Sequence, residues 1–377
     1  MKLNVNQVER LFASRGEGLD YLLATSTCEG FDINYLLEKA DKECLEMWNT
    51  LHLGEVNFGV RKKLREAIAR RYKAIEPENI VEASPEEGVL IALSTMLSPG
   101  DEVIVMEPTM PSLHEIPRAI GCEVIPWTLN PTEWGWKIDT DFLKNTISPK
   151  TKLLILNFPN NPTGCMPPIG ELQRIAQIAD SVGCWIFNEE TLRGMEHDPG
   201  ATTPRMCDIY NRAVSLGSMC RNGFAALGLG WLATQNDTLI SDFLAYKDYT
   251  SPSTNPMSEV LGLIYFRNIQ SITLRNKEII EHNLHLVEGY FESRKEIFEW
   301  TPPDAGSTAF PKMNSAYSSN DLCTHAMKDI GMLLVPDRLY SVNMNRFRIG
   351  YGRRDFGVSL VKFSDFVDKY VAQVGKS

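Results

Sequence analysis

The sequence predicts an α/β fold, in which helices cover both faces of a large, mostly parallel sheet, together with a smaller α+β domain. Two observations predict the sheet. Between residues 79 and 231, short β-rich apolar runs alternate with segments of helical periodicity. The runs are mostly bounded by Gly, Pro or Asn, and this alternation is typical of parallel strands joined by crossover helices. A third observation, grouped strands and helices near both ends of the chain, indicates the smaller domain.

The elements of the predicted sheet follow from these patterns in chain order. The apolar runs predict strands over residues 103–106, 153–156, 185–187 and 214–216. Apolar residues at helical spacing predict helices over residues 87–97, 112–120 and 169–182. Each helix lies between or beside predicted strands, which is the order that a crossover connection requires.

The flanking segments are predicted to build the smaller domain. Before the sheet we expect helices over residues 32–48 and 60–72. After it we expect a long helix over 268–294, short strands near 307–310, 332–335 and 346–350, and a final helix over 355–374. We therefore predict a small-domain part at 1–49, a large domain at 50–265 and the rest of the small domain at 266–377.

Composition restricts the classes of function. The chain has 377 residues, 43% hydrophobic and 23% charged, with a formal net charge of −10, which argues against a nucleic-acid or membrane partner. No signal-peptide core and no run of about 18 apolar residues occurs, so we expect a cytoplasmic protein. The eight cysteines and six histidines show no metal-ligand spacing, so no metal is predicted.

Polar residues follow three of the predicted strands, at the edge where open α/β sheets bind their ligands. These segments are 157–164 (Asn-Phe-Pro-Asn-Asn-Pro-Thr-Gly), 188–190 (Asn-Glu-Glu) and 217–221 (Gly-Ser-Met-Cys-Arg). The first resembles the Asn-x-Pro-x-Asn-Pro-Thr-Gly motif of class I aminotransferases, which bind pyridoxal phosphate (PLP) on the fold type I architecture. Segments 97–104, 107–109, 214–218 and 346–350 extend the resemblance over most of the chain. It implies fold type I and a homodimer with its cleft at the subunit interface.

The resemblance also implies a lysine that forms an imine with the cofactor, and that lysine is missing. No lysine occurs between Lys152 and Lys247. An ungapped count back from Gly230 puts Cys220 at its place, and a one-residue deletion puts Arg221 there, which keeps the basic character and is preferred. A thiol cannot form an imine, and a guanidinium does not lose its proton near neutrality. Conventional transamination therefore has no chemical basis under either alignment.

Other positions that hold the cofactor in the family differ as well. The carboxylate that pairs with the pyridinium nitrogen aligns with Glu189, the tyrosine near the ring oxygen with Leu192, the phosphate-binding arginine with Gly228 and the stacking aromatic with Met110. The helix start that would hold the phosphate reads Ser-Pro-Glu-Glu over residues 84–87. Its proline removes an N–H donor, and Glu86 adds a negative charge to that of Glu87, where the family commonly has a carboxylate. We therefore predict a protein that has lost PLP and binds no cofactor.

Several residues still match the family, and the resemblance implies that Arg348 grips a substrate carboxylate through a bidentate contact. The further expected substrate contacts are Asn157, Asn161, Ser218, Arg193, Glu190 and Met110. Structural alternatives stay open at this stage: turn formation and capping for Asn161 and Ser218, and an internal ion pair for Arg348.

Four charged side chains, those of Glu189, Glu190, Arg193 and Arg221, are expected to crowd the vacated cleft. A carboxylate among guanidinium groups can serve as general acid or base, and Glu189 is our candidate. Arg221 is the candidate for stabilising a developing oxyanion. The alternative is a salt-bridge network that fills the empty pocket.

Three functions remain in competition. The first is an enzyme without PLP that cyclises, isomerises or eliminates from a carboxylate-bearing, amino-acid-derived substrate in small-molecule biosynthesis, similar in character to enzymes of the capreomycidine synthase type. The second is a catalytically silent homologue that acts as partner or regulator of an active aminotransferase. The third is a PLP enzyme after all, with the cofactor held noncovalently, Lys247 as a substitute, or an inactive lysine variant.

Overall fold

The computed structural model describes residues 2–13, 21–52, 54 and 58–374. The helices are α1 Gln7–Ala13, α2 Ile33–Glu38, α3 Lys42–Asn49, α4 Phe58–Ala69, α5 Pro85–Met96, α6 Ser112–Ile120, α7 Thr140–Thr146, α8 Ile169–Val182, α9 Met206–Ile209, α10 Asp237–Lys247, α11 Pro256–Arg267, α12 Ile269–Glu292, α13 Ser319–Ile330 and α14 Phe356–Val374. The strands are β1 Tyr21–Leu22, β2 Ile80–Ala83, β3 Glu102–Glu107, β4 Glu123–Thr128, β5 Asn130–Thr132, β6 Gly135–Lys137, β7 Thr151–Asn157, β8 Trp185–Glu189, β9 Ala213–Ser218, β10 Gly230–Ala233, β11 Phe298–Glu299, β12 Thr308–Ala309, β13 Lys312–Met313, β14 Met332–Leu333, β15 Val335–Pro336 and β16 Phe347–Gly350.

The central sheet has seven strands in the order β2-β10-β9-β8-β7-β3-β4. The five strands from β9 to β4 run parallel, and β10 is antiparallel to both of its neighbours. In the register of the parallel strands, Asn157 pairs with Glu189, and Glu189 pairs with Leu216. The polar residues at the three strand ends therefore meet at one edge of the sheet.

Alternate residues of the buried strands face two different apolar layers. Val103 and Val105 pack with residues of α5, α6 and α10, whereas Ile104 and Met106 belong to the larger cluster on the other face. Phe187 of β8 faces the α5 layer and Ile186 faces the opposite one. This period of two fixes the face towards which each residue at a strand end projects.

Elements from both ends of the chain combine outside the central sheet. β1 pairs with β14 in parallel, and β12, β16 and β15 form a three-stranded sheet. A separate hydrophobic cluster joins these strands to α12, α13 and α14. The domain boundaries at residues 49 and 265 stay a prediction. Among the described residues, no helix combines the length and the apolar character that a membrane crossing requires.

The predicted strands of the central sheet all lie within observed strands, but β2, β4 and β10 were not predicted. The predicted helix over 32–48 is wrong, because the structure has two helices there, α2 and α3. The break falls where the Asp41 side chain accepts a hydrogen bond from the Cys44 N–H at 2.9 Å. This contact caps a new helix start and so interrupts the preceding one.

Candidate active site

A cavity of about 290 Å³ lies at the carboxyl edge of the sheet, between the start of α5 and the ends of β8 and β9. Its charged lining residues are Glu9, Glu86, Glu189 and Arg221. Met110, Ser218 and Cys220 also line it. The structure thus brings together both candidate catalytic residues and two of the expected substrate contacts.

Glu189 ends β8 and is 6% exposed. Its Oε2 accepts a hydrogen bond from Asn157 Nδ2 at 2.5 Å, and its Oε1 accepts one from the Thr191 N–H at 2.7 Å. Burial raises the pKa of this carboxyl, although Thr191 and the charge of Arg221 oppose the rise. Glu189 is therefore a positioned carboxyl that can hold a proton in a range where ordinary glutamates are ionised.

Glu86 and Arg221 face the same cavity. Burial raises the pKa of Glu86, against the stabilising effect of Ser112 and Arg221 on its charged form. Arg221 Nη1 donates to Ser26 Oγ at 2.8 Å. Within the described part of the chain, Arg221 has no carboxylate at ion-pair distance. Glu86, Glu189 and Arg221 therefore do not form the salt-bridge network that was the predicted alternative for this cleft.

Arg348, in β16, is 1% exposed and is not part of the lining of this cavity. Its Nε and Nη2 donate to the Ala24 carbonyl at 3.0 and 2.6 Å, and Nη1 donates to Asn161 Oδ1 at 3.1 Å. Burial lowers its pKa. Within the described residues, Arg348 has no carboxylate at ion-pair distance, so the internal ion pair of the alternative is not formed in that part of the chain. A buried guanidinium without a counter-anion is costly, which makes it a candidate binder of an anionic group.

Two aromatic rings enclose Arg348. Its guanidinium carbon is 5.5 Å from the ring centre of Phe12 in α1 and 5.9 Å from that of Tyr340. The Tyr340 hydroxyl is buried and donates no hydrogen bond within the described residues, and the charge of Arg348 opposes the rise that burial causes in its pKa. An unused hydroxyl donor beside a charged guanidinium is suited to a carboxylate. Sequence reasoning missed Tyr340, because no motif contains it.

Three of the expected contacts already make structural hydrogen bonds. Ser218 Oγ donates to the Leu229 carbonyl at 3.2 Å and accepts from the Cys220 N–H at 2.8 Å. Asn161 Nδ2 donates to Met110 Sδ at 3.3 Å. Turn formation and capping therefore account for Ser218, and Asn161 holds Arg348 and Met110 in place.

Glu190 and Arg193 do not share this cavity, so the expectation that four charged side chains crowd one cleft is wrong. Glu190 Oε1 accepts from Ser215 Oγ at 2.8 Å and from the Met206 N–H at 2.9 Å. Its Oε2 lies 3.4 Å from Arg193 Nε and 3.1 Å from Arg205 Nη1. These residues face a separate cavity of about 320 Å³. Successive residues of an extended chain project to opposite faces, which separates Glu190 from its neighbour.

The residues present do not fit the PLP that the resemblance implies. The cavity lining includes both Cys220 and Arg221 but no lysine. Lys247 Nζ bonds Ser251 Oγ at 2.6 Å and lies 3.8 Å from Glu87 Oε1, outside that lining. At the phosphate end, α5 begins with Pro85, which has no N–H, and its first turn carries two carboxylates. Helix N-termini that bind phosphate offer free N–H groups and no competing negative charge.

Comparisons with known proteins place these features in a family context. The model of the family "Aminotransferase class I and II" matches residues 43–355. Capreomycidine synthase of Streptomyces vinaceus is 28% identical over 294 residues, which are 77% of this chain and 74% of that protein. The aspartate/prephenate aminotransferase of Thermus thermophilus is 28% identical over 227 residues, 56% of this chain and 57% of that protein.

Two solved structures share the fold over almost the whole chain. A PLP-dependent aminotransferase from Streptococcus suis 89-1591 has a TM-score of 0.89 at 24% identity and covers 99% of both chains. The PLP-dependent cyclase OrfR has a TM-score of 0.87 at 21% identity, with 99% of this chain and 98% of that chain covered. The predicted fold type I architecture and the resemblance to aminotransferases and to capreomycidine synthase are confirmed.

Proposed function

This chain belongs to the aminotransferase class I and II family, and from that premise we propose an enzyme that has lost its dependence on PLP. In this proposal it cyclises, isomerises or eliminates from a carboxylate-bearing, amino-acid-derived substrate by acid/base chemistry, in small-molecule biosynthesis. The observation that carries the proposal is the cavity at the sheet edge, which combines Glu189, Glu86 and Arg221 without a lysine. These groups can move protons and hold charge, but none of them can form an imine.

The substrate carboxylate is assigned to Arg348 and the neighbouring Tyr340 hydroxyl. Within the described residues Arg348 has no counter-anion, and the Tyr340 hydroxyl donates no hydrogen bond. A carboxylate would satisfy both groups at once through charge-assisted hydrogen bonds. Arg348 would then orient the substrate rather than take part in bond breaking.

Glu189 is assigned the proton transfer. Its raised pKa leaves part of the carboxyl protonated at higher pH than in an ordinary glutamate, so that it can donate a proton and later recover it. Asn157 and the Thr191 N–H fix its two oxygens. The guanidinium of Arg221 would stabilise negative charge that develops on the substrate.

The test of PLP independence is spectroscopic. The protein is mixed with PLP, absorbance in the aldimine region is recorded, and borohydride reduction is followed by peptide mapping. We expect no stoichiometric adduct on any single lysine. The matched controls are Cys220→Lys and Arg221→Lys, which return an amine to each of the two aligned positions. A stable adduct on one lysine of the unmodified chain, Lys247 included, would overturn the proposal and restore a PLP enzyme.

The second experiment tests catalysis. Amino-acid metabolites are screened by thermal shift, and each ligand found is incubated with the protein and followed by NMR. We expect product with the unmodified chain and at least 100-fold slower conversion with Glu189→Gln, since general acid/base groups contribute about 10²–10⁴-fold. If Glu189→Gln still binds the ligand, the variant is folded, and its slower conversion is then due to the lost proton transfer.

One observation favours a second candidate, the catalytically silent partner or regulator. Arg348 already bonds Ala24 and Asn161 and is almost completely buried, as in a site that no longer admits substrate. If every ligand found in the screen is returned unchanged, this second function replaces the first. Homodimer formation and a cytoplasmic location stay proposals; light scattering in solution tests the former.

A further inference from the structure

A second concave surface lies between the β5–β6 hairpin, the C-terminal end of α12 and β11. We call it the hairpin groove. It encloses about 780 Å³, and its lining includes Trp134, Phe291, Trp300, Thr301 and Arg346. It shares no lining residue with the cavity at Glu189. The acid/base chemistry proposed above therefore does not account for it.

Arg346 supplies a buried positive charge to the hairpin groove. The residue is 2% exposed, and its Nη1 donates to Thr301 Oγ1 at 3.2 Å and to the Phe310 carbonyl at 2.6 Å. Its Nε is buried and has no hydrogen-bond partner in the part of the chain that the structure describes. No carboxylate of the described residues lies at ion-pair distance from it. A buried guanidinium with an unused donor is completed most favourably by an anion.

Aromatic rings supply the apolar surface of the hairpin groove. Trp134, between β5 and β6, is 81% exposed. Trp300 stacks on Phe291 with ring centres 5.0 Å apart and planes at 12°, and its indole Nε1 is buried with no hydrogen-bond partner among the residues described. Tryptophan surfaces beside unused donors favour flat ligands that stack and accept hydrogen bonds.

The rim of the hairpin groove carries negative charge. Glu292 pairs with Lys295 and Glu299 pairs with Lys312, whereas Glu133 is exposed and has no such pair within the described ranges. A ligand with its anionic end at the floor and a cationic group at the rim would meet opposite charges at both places. The hairpin groove therefore favours a zwitterionic ligand over a simple anion.

We propose that the hairpin groove binds an aromatic α-amino acid. The ligand carboxylate lies on Arg346, the ring lies against Trp134 and Trp300, and the ammonium group points towards Glu133. The site would be a second ligand site of this chain, independent of the cavity that holds Glu189.

The test uses L-tryptophan as the probe in isothermal titration calorimetry on the full chain. We expect one site in the unmodified protein and binding about five- to tenfold weaker in Trp134→Ala, which removes a stacking surface from an exposed position. Tyr249→Ala is the matched control, because Tyr249 is 93% exposed and does not line the hairpin groove. Glu189→Gln is expected to bind L-tryptophan unchanged.

Two analogues test the charges without altering the protein. Tryptamine, which lacks the carboxylate, is expected to bind at least tenfold more weakly, because a charge-assisted hydrogen bond is lost. Indole-3-propionate, which lacks the ammonium group, should bind a few-fold more weakly because the rim charges are exposed. Three results would overturn the proposal: no heat of binding up to about 5 mM, tryptamine binding as tightly as L-tryptophan, or binding that Glu189→Gln abolishes and Trp134→Ala leaves intact.

Discussion

Glu189 and Glu190 are neighbours in the chain, yet the structure gives their carboxyl groups opposite environments. Glu190 accepts from two arginines, a hydroxyl and a backbone N–H, and these contacts keep its pKa below the usual range in spite of burial. Among the described residues, no arginine lies at ion-pair distance from Glu189, and burial raises its pKa. The difference arises because the two side chains leave the end of β8 on opposite faces of the sheet. A carboxylate whose oxygens are fully occupied by ion pairs and hydrogen bonds has a structural role. A carboxylate with fewer such contacts remains available for proton transfer.

The largest expected effect is on folding stability at Glu190. Glu190→Gln keeps the shape of the side chain but leaves Arg205 buried without its counter-charge and leaves Arg193 with only Glu196, at 3.7 Å. We expect a loss of about 3–5 kcal/mol in the free energy of unfolding, which is typical when one partner of a buried ion pair is removed. Denaturant unfolding at pH 7 measures the loss. Glu189→Gln is the matched variant, and a similar loss there would contradict the contrast between the two residues.

The second prediction concerns pH. Because the folded-state pKa of Glu189 is raised, ionising this group opposes folding, and its favourable contribution is lost as pH rises through the folded-state pKa. Glu189→Gln should therefore gain stability relative to the unmodified chain as pH rises from about 4.5, by about 1.4 kcal/mol per unit of pKa shift. Glu190 has a lowered pKa, so its contribution is present above that pH and is lost on acidification. The free energy of unfolding is measured between pH 4 and 8 for the unmodified chain, Glu189→Gln and Glu190→Gln. The same pH dependence in all three proteins would refute this assignment.

The smallest effect is expected at Tyr340, whose hydroxyl has no partner among the described residues. Tyr340→Phe should leave the protein as stable as before or stabilise it by about 1 kcal/mol, because a buried unsatisfied group is removed. Ser215→Ala, which removes a hydrogen bond to Glu190, should instead destabilise by about 1 kcal/mol. Thermal unfolding of both variants provides the measurement, and a marked loss in Tyr340→Phe would show that its hydroxyl is structurally satisfied.

The sequence was a good guide to the buried parallel strands, since strands covered on both faces consist of continuous apolar runs. The strands that it missed carry other signals. β4 contains Pro126 and lies at the edge of the sheet with a largely exposed pattern. β2 contains Glu82, and this charged residue interrupts the apolar run by which a buried strand is recognised. In the fold, Arg65 Nε pairs with Glu82 Oε1 at 2.7 Å and compensates its charge. Such tertiary pairs cannot be recognised from local patterns.

The candidate site was predictable in part. The strand-end rule and the family motif correctly brought Glu189, Arg221 and Met110 to one cavity. The separation of Glu190 could have been predicted from the alternation of side chains along an extended segment. Tyr340 could not, because it lies in a short 3₁₀ turn and approaches Arg348 only through the tertiary fold.

The enclosure of Arg348 has a kinetic consequence. Its guanidinium has almost no exposed surface, and the ring centres of Phe12 and Tyr340 lie 5.5 and 5.9 Å from it, so a ligand carboxylate can reach it only after the surrounding residues move. Association then takes place in two steps, and at high ligand concentration its observed rate levels off at the rate of that opening motion. Opening of the site, rather than diffusion, would set how quickly the buried charge is neutralised.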